Sequence, residues 1–243
     1  MILAVLQARC SSTRFPGKVL APLLDRPMIL RQIERVKKSE LIDRLIVATS
    51  VDESDDELVE LLADAAIEVG RGPLDDVVAR FGLVAAGVEF DHIVRLTADC
   101  PLADPQVIDT VVRSHVRTLS DYTSNTLVPS YPDGLDLECL SAEAFARLLE
   151  LPLTRREREH VTLGIYGRPD QFHLHNVSQM PDRSHLRWTV DVPEDLDFVR
   201  TIYERLYDED NDFGQESILR LLADNPELNR TDQDLARNAG LDN

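Results

Sequence analysis

At 243 residues, 43% of them hydrophobic, the chain is long enough to bury a substantial core as one domain. Its formal net charge of −18 sets most of its field against a nucleic-acid polymer and leaves room only for a small anion held in a local basic pocket. No apolar run approaches the ~20 residues of a membrane span, and Met1 runs straight into "ILAVL" with no basic flank or cleavage site, which predicts a cytoplasmic protein.

The predicted elements alternate over the first half of the chain. "ILAVLQ" (2–7) is a short apolar run suited to a buried strand, and "PMILRQIERVKKS" (27–39) carries apolar residues at helical spacing behind Pro27. "RLIVATS" (44–50) reads as a strand, "DDELVELLADAA" (55–66) as an amphipathic helix and "IEVGRG" (67–72) as a strand. A helix over roughly 74–87, the strand "HIVRLTAD" (92–99) and a helix from Pro105 to about Val116 follow. Four βα units in a row predict an α/β, Rossmann-like, mostly parallel sheet with helices on both faces. Right-handed crossovers bring the ends of the first and fourth strands to one common edge.

Beyond about residue 120 the alternation loosens. "DYTSNT", "GLDLECLS" and "QFHLHNVS" read as short strands, and "AEAFARLLE" and "REREHVTLGIYG" as helices. The region 120–184 is predicted to be an insertion, a lid or a dimerisation element within a single domain of residues 1–243. "HLRWTVDV" (185–192) returns to a buried-strand pattern, Pro193 opens a helix, "QESILRLLADN" forms the last helix, and 226–243 is a polar tail. Cys10, Cys100 and Cys139 are odd in number and lack a CxxC pair, which predicts reduced thiols. Lys18, Lys37 and Lys38 are the only lysines among abundant Arg and Asp. That balance reads either as adaptation to high salt or as compositional bias with ordinary solubilising acid.

In so acidic a chain, "ARCSSTRFPGK" (8–18) stands out for placing Arg9, Arg14 and Lys18 directly after the first strand. Ala8 opens this loop, the amides of Ser11, Ser12 and Thr13 can form an anion nest, and Gly17 permits close backbone approach. A polyphosphate suits that chemistry, because strand-to-helix loops at the carboxyl edge of a parallel sheet are where such folds bind ligands. Neither GxxxxGK[ST] nor GxGxxG is present, which excludes a P-loop and a dinucleotide fingerprint.

The loop, followed by "RPMI", resembles the signature of the sugar nucleotidyltransferases, and above all of the cytidylyltransferases that make CMP-activated acidic sugars. "GRGPLDDVVARF" (70–81), "RLTADCPLADPQVID" (95–109), "DGLDLECLS" (133–141), "REHVT" (158–162) and "RWTVDVPEDLDFVRTIYERL" (187–206) are similar to the branch typified by spore coat polysaccharide biosynthesis protein F, related to CMP-KDO synthetase. The resemblance implies that Arg9, Arg14 and Lys18 hold the β and γ phosphates of CTP. It also implies that Asp99 and Asp191 share a Mg²⁺ ion, a cation that favours hard oxygen ligands. For both aspartates a helix N-cap stays open as the alternative.

Arg71 is assigned by the same resemblance to the cytosine and ribose, with Arg80 in support, while Asp75 and Asp76 fit equally well as caps of the next helix. Asp136 and Glu138 alternate with leucines and so share one strand face. With Arg158 and His160 they are the acceptor-side candidates, each equally compatible with an ordinary charged surface. The implied reaction is in-line attack of an acidic acceptor on the α-phosphorus of CTP, in a homodimer whose contact uses apolar positions of "LVPSYP" and "LGIY". Two readings compete: another nucleotide or a non-sugar acceptor such as a phosphonate, and a non-catalytic nucleotide-binding scaffold. The completeness of the Arg9, Arg14, Lys18, Asp99 and Asp191 set counts against the scaffold.

Overall fold

The computed structural model describes residues 1–207 and 213–229. Its first strand, β1 (Ile2–Gln7), is apolar throughout its interior because both faces are covered: Ala4 and Leu6 enter one core, Leu3 and Val5 the other. The two-residue strands β2 (Pro22–Leu23) and β3 (Arg26–Pro27) pair antiparallel ahead of α1 (Met28–Val36). β4 (Arg44–Ser50), α2 (Asp56–Asp64), β5 (Glu68–Gly72), α3 (Val77–Ala85), β6 (His92–Thr97) and α4 (Pro105–Thr118) continue the predicted alternation. β7 (Tyr122–Ser124), β8 (Glu138–Ser141), α5 (Ala142–Glu150), α6 (Arg155–Glu159), α7 (Leu163–Tyr166), β9 (Leu174–Asn176), α8 (Pro193–Leu206) and α9 (Gln215–Asp224) complete it.

Seven strands form one sheet in the order β5-β4-β1-β6-β8-β7-β9. β1 pairs in parallel with β4 on one side and β6 on the other, and β8 alone runs antiparallel to its neighbours. The first and fourth βα strands therefore end side by side, as right-handed crossovers require. Met28, Ile29 and Ile33 of α1, Leu58 and Leu62 of α2, and the buried stripes of α4, α8 and α9 cover one face. Val77, Val78 and Phe81 of α3, Phe145 and Leu148 of α5, and Ile165 of α7 cover the other. Each fully buried side chain of this kind contributes ~1.5–3 kcal/mol.

Three expectations change. The segment 120–184 supplies β7, β8 and β9 to the main sheet and Phe145, Leu148, Val161 and Ile165 to its second core, so it is continuous with the domain's body. "REREHVTLGIYG" is two short helices instead of one: His160 leaves helical geometry at φ −105, ψ 64, and the Thr162 hydroxyl turns to donate to Glu138. "HLRWTVDV" joins no ladder. Its backbone is satisfied by two loops, with Trp188 N–H donating to Asp133 O (2.6 Å) and Val190 N–H to Asp99 O (2.8 Å). Pro226–Leu228 makes a turn of 3-10 helix, and the rest of the predicted tail from residue 230 lies outside the described residues.

The apolar positions expected at a dimer contact are mostly spent inside. Tyr131, Gly164 and Ile165 are buried, whereas Val128 is 66% exposed. Among the described residues no helix is long and apolar enough to cross a membrane.

Candidate active site

The carboxyl ends of β1 and β6 open onto the basic loop. Its start is pinned by Asp55, fully buried, which accepts from the Cys10 N–H (2.7 Å) and from the Ser50 N–H (3.0 Å) and hydroxyl. Burial would raise the Asp55 carboxyl, yet these donors hold it below the usual carboxylate range. The same carboxylate, with burial as the larger cause, pushes the Cys10 thiol up to about 12, so Cys10 is an inert core group. Gly17, at φ 72, turns the chain so that its N–H returns to Cys10 O (2.8 Å) and Lys18 points back into the site.

Lys18 is the hub. Its Nζ donates to Val190 O (2.6 Å) and to Asp191 Oδ1 (3.2 Å), and stands 3.7 Å from Asp99 Oδ2. Arg14 reaches Asp191 Oδ1 at 3.0 Å and Arg187 reaches Asp191 Oδ2 at 2.9 Å. Burial would raise the Asp191 carboxyl, but Lys18, Arg187 and Arg14 together bring it below its ordinary value. Neither aspartate caps a helix: Asp104 caps α4, and Asp195 accepts from the Asp191 (2.7 Å) and Val192 (3.0 Å) amides at the start of α8. A pair of carboxylates converging on one cation, without a third acid to complete a cage among the described residues, suits a divalent ion that takes its other ligands from phosphate and water.

Beside this cluster lies an open cavity of about 440 Å³. Asp99 and Asp191 line it, as do Arg95, Glu138, His160, Thr162 and Tyr166, and also Asp133, Asp136 and Arg187. The alternation read from the sequence thus brings Asp136 and Glu138 to one wall. Glu138 is 8% exposed and accepts from Arg95, Thr162 and the Tyr122 hydroxyl (2.6 Å).

Other candidates lie elsewhere. Arg71 staples the end of β4: its Nε donates to Ser50 O (2.8 Å) and its Nη2 to Asp56 (2.7 Å) and Asp52 O (3.1 Å). Arg80 is buried on the carbonyls of Pro73 and Leu74. Arg158 pairs with Asp76 at 2.9 Å instead of facing the cavity, and Asp76 also caps α3 through the Ala79 N–H. Of the proposed amide nest, Ser12 N–H is spent on Cys10 O (2.9 Å), while Ser11 and Thr13 are exposed. Ala8 is held in register by Ala48 O, and Arg9 is half-buried at the loop's start.

Sequence reasoning passed over Arg95, Arg187 and Asp195. The available signal was a charge set within an apolar strand run in "HIVRLTAD" and "HLRWTVDV", where a cation is costly unless paired.

A model of the cytidylyltransferase family matches residues 3–219. The chain belongs to the cytidylyltransferase family. It is 32% identical over 234 residues to spore coat polysaccharide biosynthesis protein SpsF of Bacillus subtilis, covering 93% of this chain and 95% of that one. To 3-deoxy-manno-octulosonate cytidylyltransferase of Geobacter metallireducens it is 32% identical over 149 residues, 54% of this chain and 57% of that relative. The structure of a cytidylyltransferase from Leptospira borgpetersenii superposes with a TM-score of 0.89 at 25% identity, over 97% of this chain and 99% of that one. A CMP-KDO synthetase structure solved with CTP shares the fold at a TM-score of 0.63 and 17% identity, over 84% of this chain and 98% of that one. In this cytidylyltransferase, then, the sheet edge carrying Lys18, Asp99 and Asp191 belongs to a nucleotidyltransferase fold.

Proposed function

We propose that the chain moves CMP from CTP onto an acidic sugar or a related acid, releasing pyrophosphate, as a step in cell-surface polysaccharide synthesis. The observation that carries this reading is the convergence of Lys18 on Asp99 and Asp191, with Arg14 alongside, at the carboxyl edge of the sheet. The names of the SpsF and 3-deoxy-manno-octulosonate cytidylyltransferase relatives supply the substrate class.

An acceptor oxygen attacks the α-phosphorus in line, a hydroxyl giving up its proton to solvent as it does so, and the bond to the β-phosphate breaks with its electrons on pyrophosphate. Arg9, Arg14 and Lys18 meet the departing charge, which grows in the transition state and so favours fixed cations over mobile water. Asp99 and Asp191 would hold a magnesium ion, which when bound polarises the phosphate oxygens. Once phosphate arrives, Lys18 and Arg14 exchange carboxylate partners for phosphate ones without leaving the site. Catalysis is positioning and charge stabilisation. The active form is a cytoplasmic homodimer, which light scattering would contradict with a 27.4 kDa particle at micromolar concentration.

The test is pyrophosphate release by the purified protein with CTP, magnesium and a panel of 2-keto sugar acids and phosphonates. ATP, GTP and UTP serve as competitors, to test the preference for CTP. CTP-dependent release is expected. Release with another nucleotide in preference to CTP, or no CTP binding at all, would defeat the reading.

A further inference from the structure

The part of the cavity lined by Arg95, Glu138, His160, Thr162 and Tyr166 has no role in the chemistry above. Arg95 stands on β6 between Val5 of β1 and Glu138 of β8, on the same face as Thr97 and roughly 7 Å before it. One guanidinium nitrogen donates to Glu138 and another to Gln7 Oε1 at 3.2 Å, while the Nε–H is buried without a hydrogen-bond partner. Glu138 has no such vacancy, since Arg95, Tyr122 and Thr162 all donate to it. Burial lowers the pKa of the neighbouring His160; Glu159 opposes that shift, and the charges of Arg95, Arg156 and Arg9 add to it. Arg95 is thus a paired cation lining a cavity in a protein of net charge −18. A buried donor lacking an acceptor is the kind of defect a ligand oxygen repairs.

Resting on the function above, we propose that Arg95 binds an oxyanion of the acceptor, a carboxylate or a phosphonate, and that Glu138 is its positioning residue. The acidity of the acceptor is then read on β6, apart from the nucleotide phosphates. Glu138 fixes the guanidinium plane through a paired, hydrogen-bonded contact, so its part is to orient Arg95 and not to touch substrate.

The experiment measures KM for the panel acid that turns over and for its neutral amide or ester. Arg95→Met should raise the acid's KM tenfold to a hundredfold, leaving KM for CTP and the neutral analogue's KM unchanged; Arg95→Lys should fall between. Arg95→Met combined with Glu138→Gln removes both buried charges and guards against misfolding, and the same split is expected. Equal losses for acid and neutral analogue, or a change confined to CTP, would overturn the assignment. Should no acid turn over, pyruvate and methylphosphonate, titrated in the presence of CTP, serve as minimal carboxylate and phosphonate probes. Whichever of them shifts the His160 ring signals in the wild type and not in Arg95→Met identifies the oxyanion. Identical shifts in both proteins, or none in the wild type, overturn it. CTP binding is read separately from the fluorescence of Trp188, and its loss strikes the proposed function while leaving the titration result intact.

Discussion

Asp191 answers to Lys18, Arg14 and Arg187 at once, whereas Asp99 stands 3.7 Å from Lys18 and accepts from the Cys100 thiol (3.4 Å). Replacing either by Asn keeps the shape and removes the charge. Turnover should fall roughly a hundredfold in each single variant, and the double variant should be little worse, since groups that act on one centre are non-additive. Steady-state pyrophosphate release checks this, and full activity in both single variants would return these positions to structural duty. A second residue-scale expectation concerns His115, which is 1% exposed, donates or accepts at Thr123 Oγ1 (2.9 Å) and packs edge-on against His92 at 4.9 Å. Burial, aided by His92 and His175, lowers its pKa to about 4. Between about 6.5 and 4 the unfolded chain binds more protons here than the folded one. Its contribution, on the order of 3 kcal/mol, is therefore complete above pH 6.5 and lost as pH falls through that window. Urea midpoints from pH 7 to 4 should decline in the wild type and decline less in His115→Asn.

At the scale of elements, the strap 185–192 is held by the 132–135 loop. Asp133 N–H donates to Leu186 O (2.9 Å), Trp188 N–H donates to Asp133 O, and Gly134 sits between at φ +108 with room for no side chain, a Cβ there falling 2.6 Å from the Trp188 carbonyl carbon. Gly134→Ala should cost ~1–3 kcal/mol of stability, measured by denaturant titration, and should lower turnover by displacing Asp191; a variant as stable and active as the wild type would show that the strap is loosely seated. The strap is also where sequence reading fell short. β1 and β4 were legible to the residue because an apolar run buried on both faces carries its own boundaries. "HLRWTVDV" carries the same signature for a different reason: Trp188 and Val190 are buried against the core while their backbone partners are loop groups remote in sequence. The basic loop was legible as a charge anomaly. Arg71 was less legible, because a cation beside a glycine at a strand end looks alike whether it faces a ligand or the Ser50 carbonyl.

For the whole molecule, a charge of −18 spread over 243 residues opposes compaction, and salt relieves that repulsion by screening. If the acid excess is an adaptation to salt, the melting temperature should fall steeply as sodium chloride is withdrawn. A melting curve flat from low to molar salt would identify the excess as compositional. The active-site charges should behave differently, because Asp191 and Glu138 are shielded in a cavity and paired at close range. Activity corrected for the folded fraction should therefore depend less on salt than stability does.

The double tie between loop and strap also limits how the molecule can move. Arg187 grips Asp133 (3.4 Å) on the loop and Asp191 and Asp195 (2.9 and 3.2 Å) on its own side, and the backbone bonds on either flank run in parallel with it. Two segments fastened at three points behave as one lever. A displacement of the 132–135 loop would therefore carry the strap and its Asp191 with it.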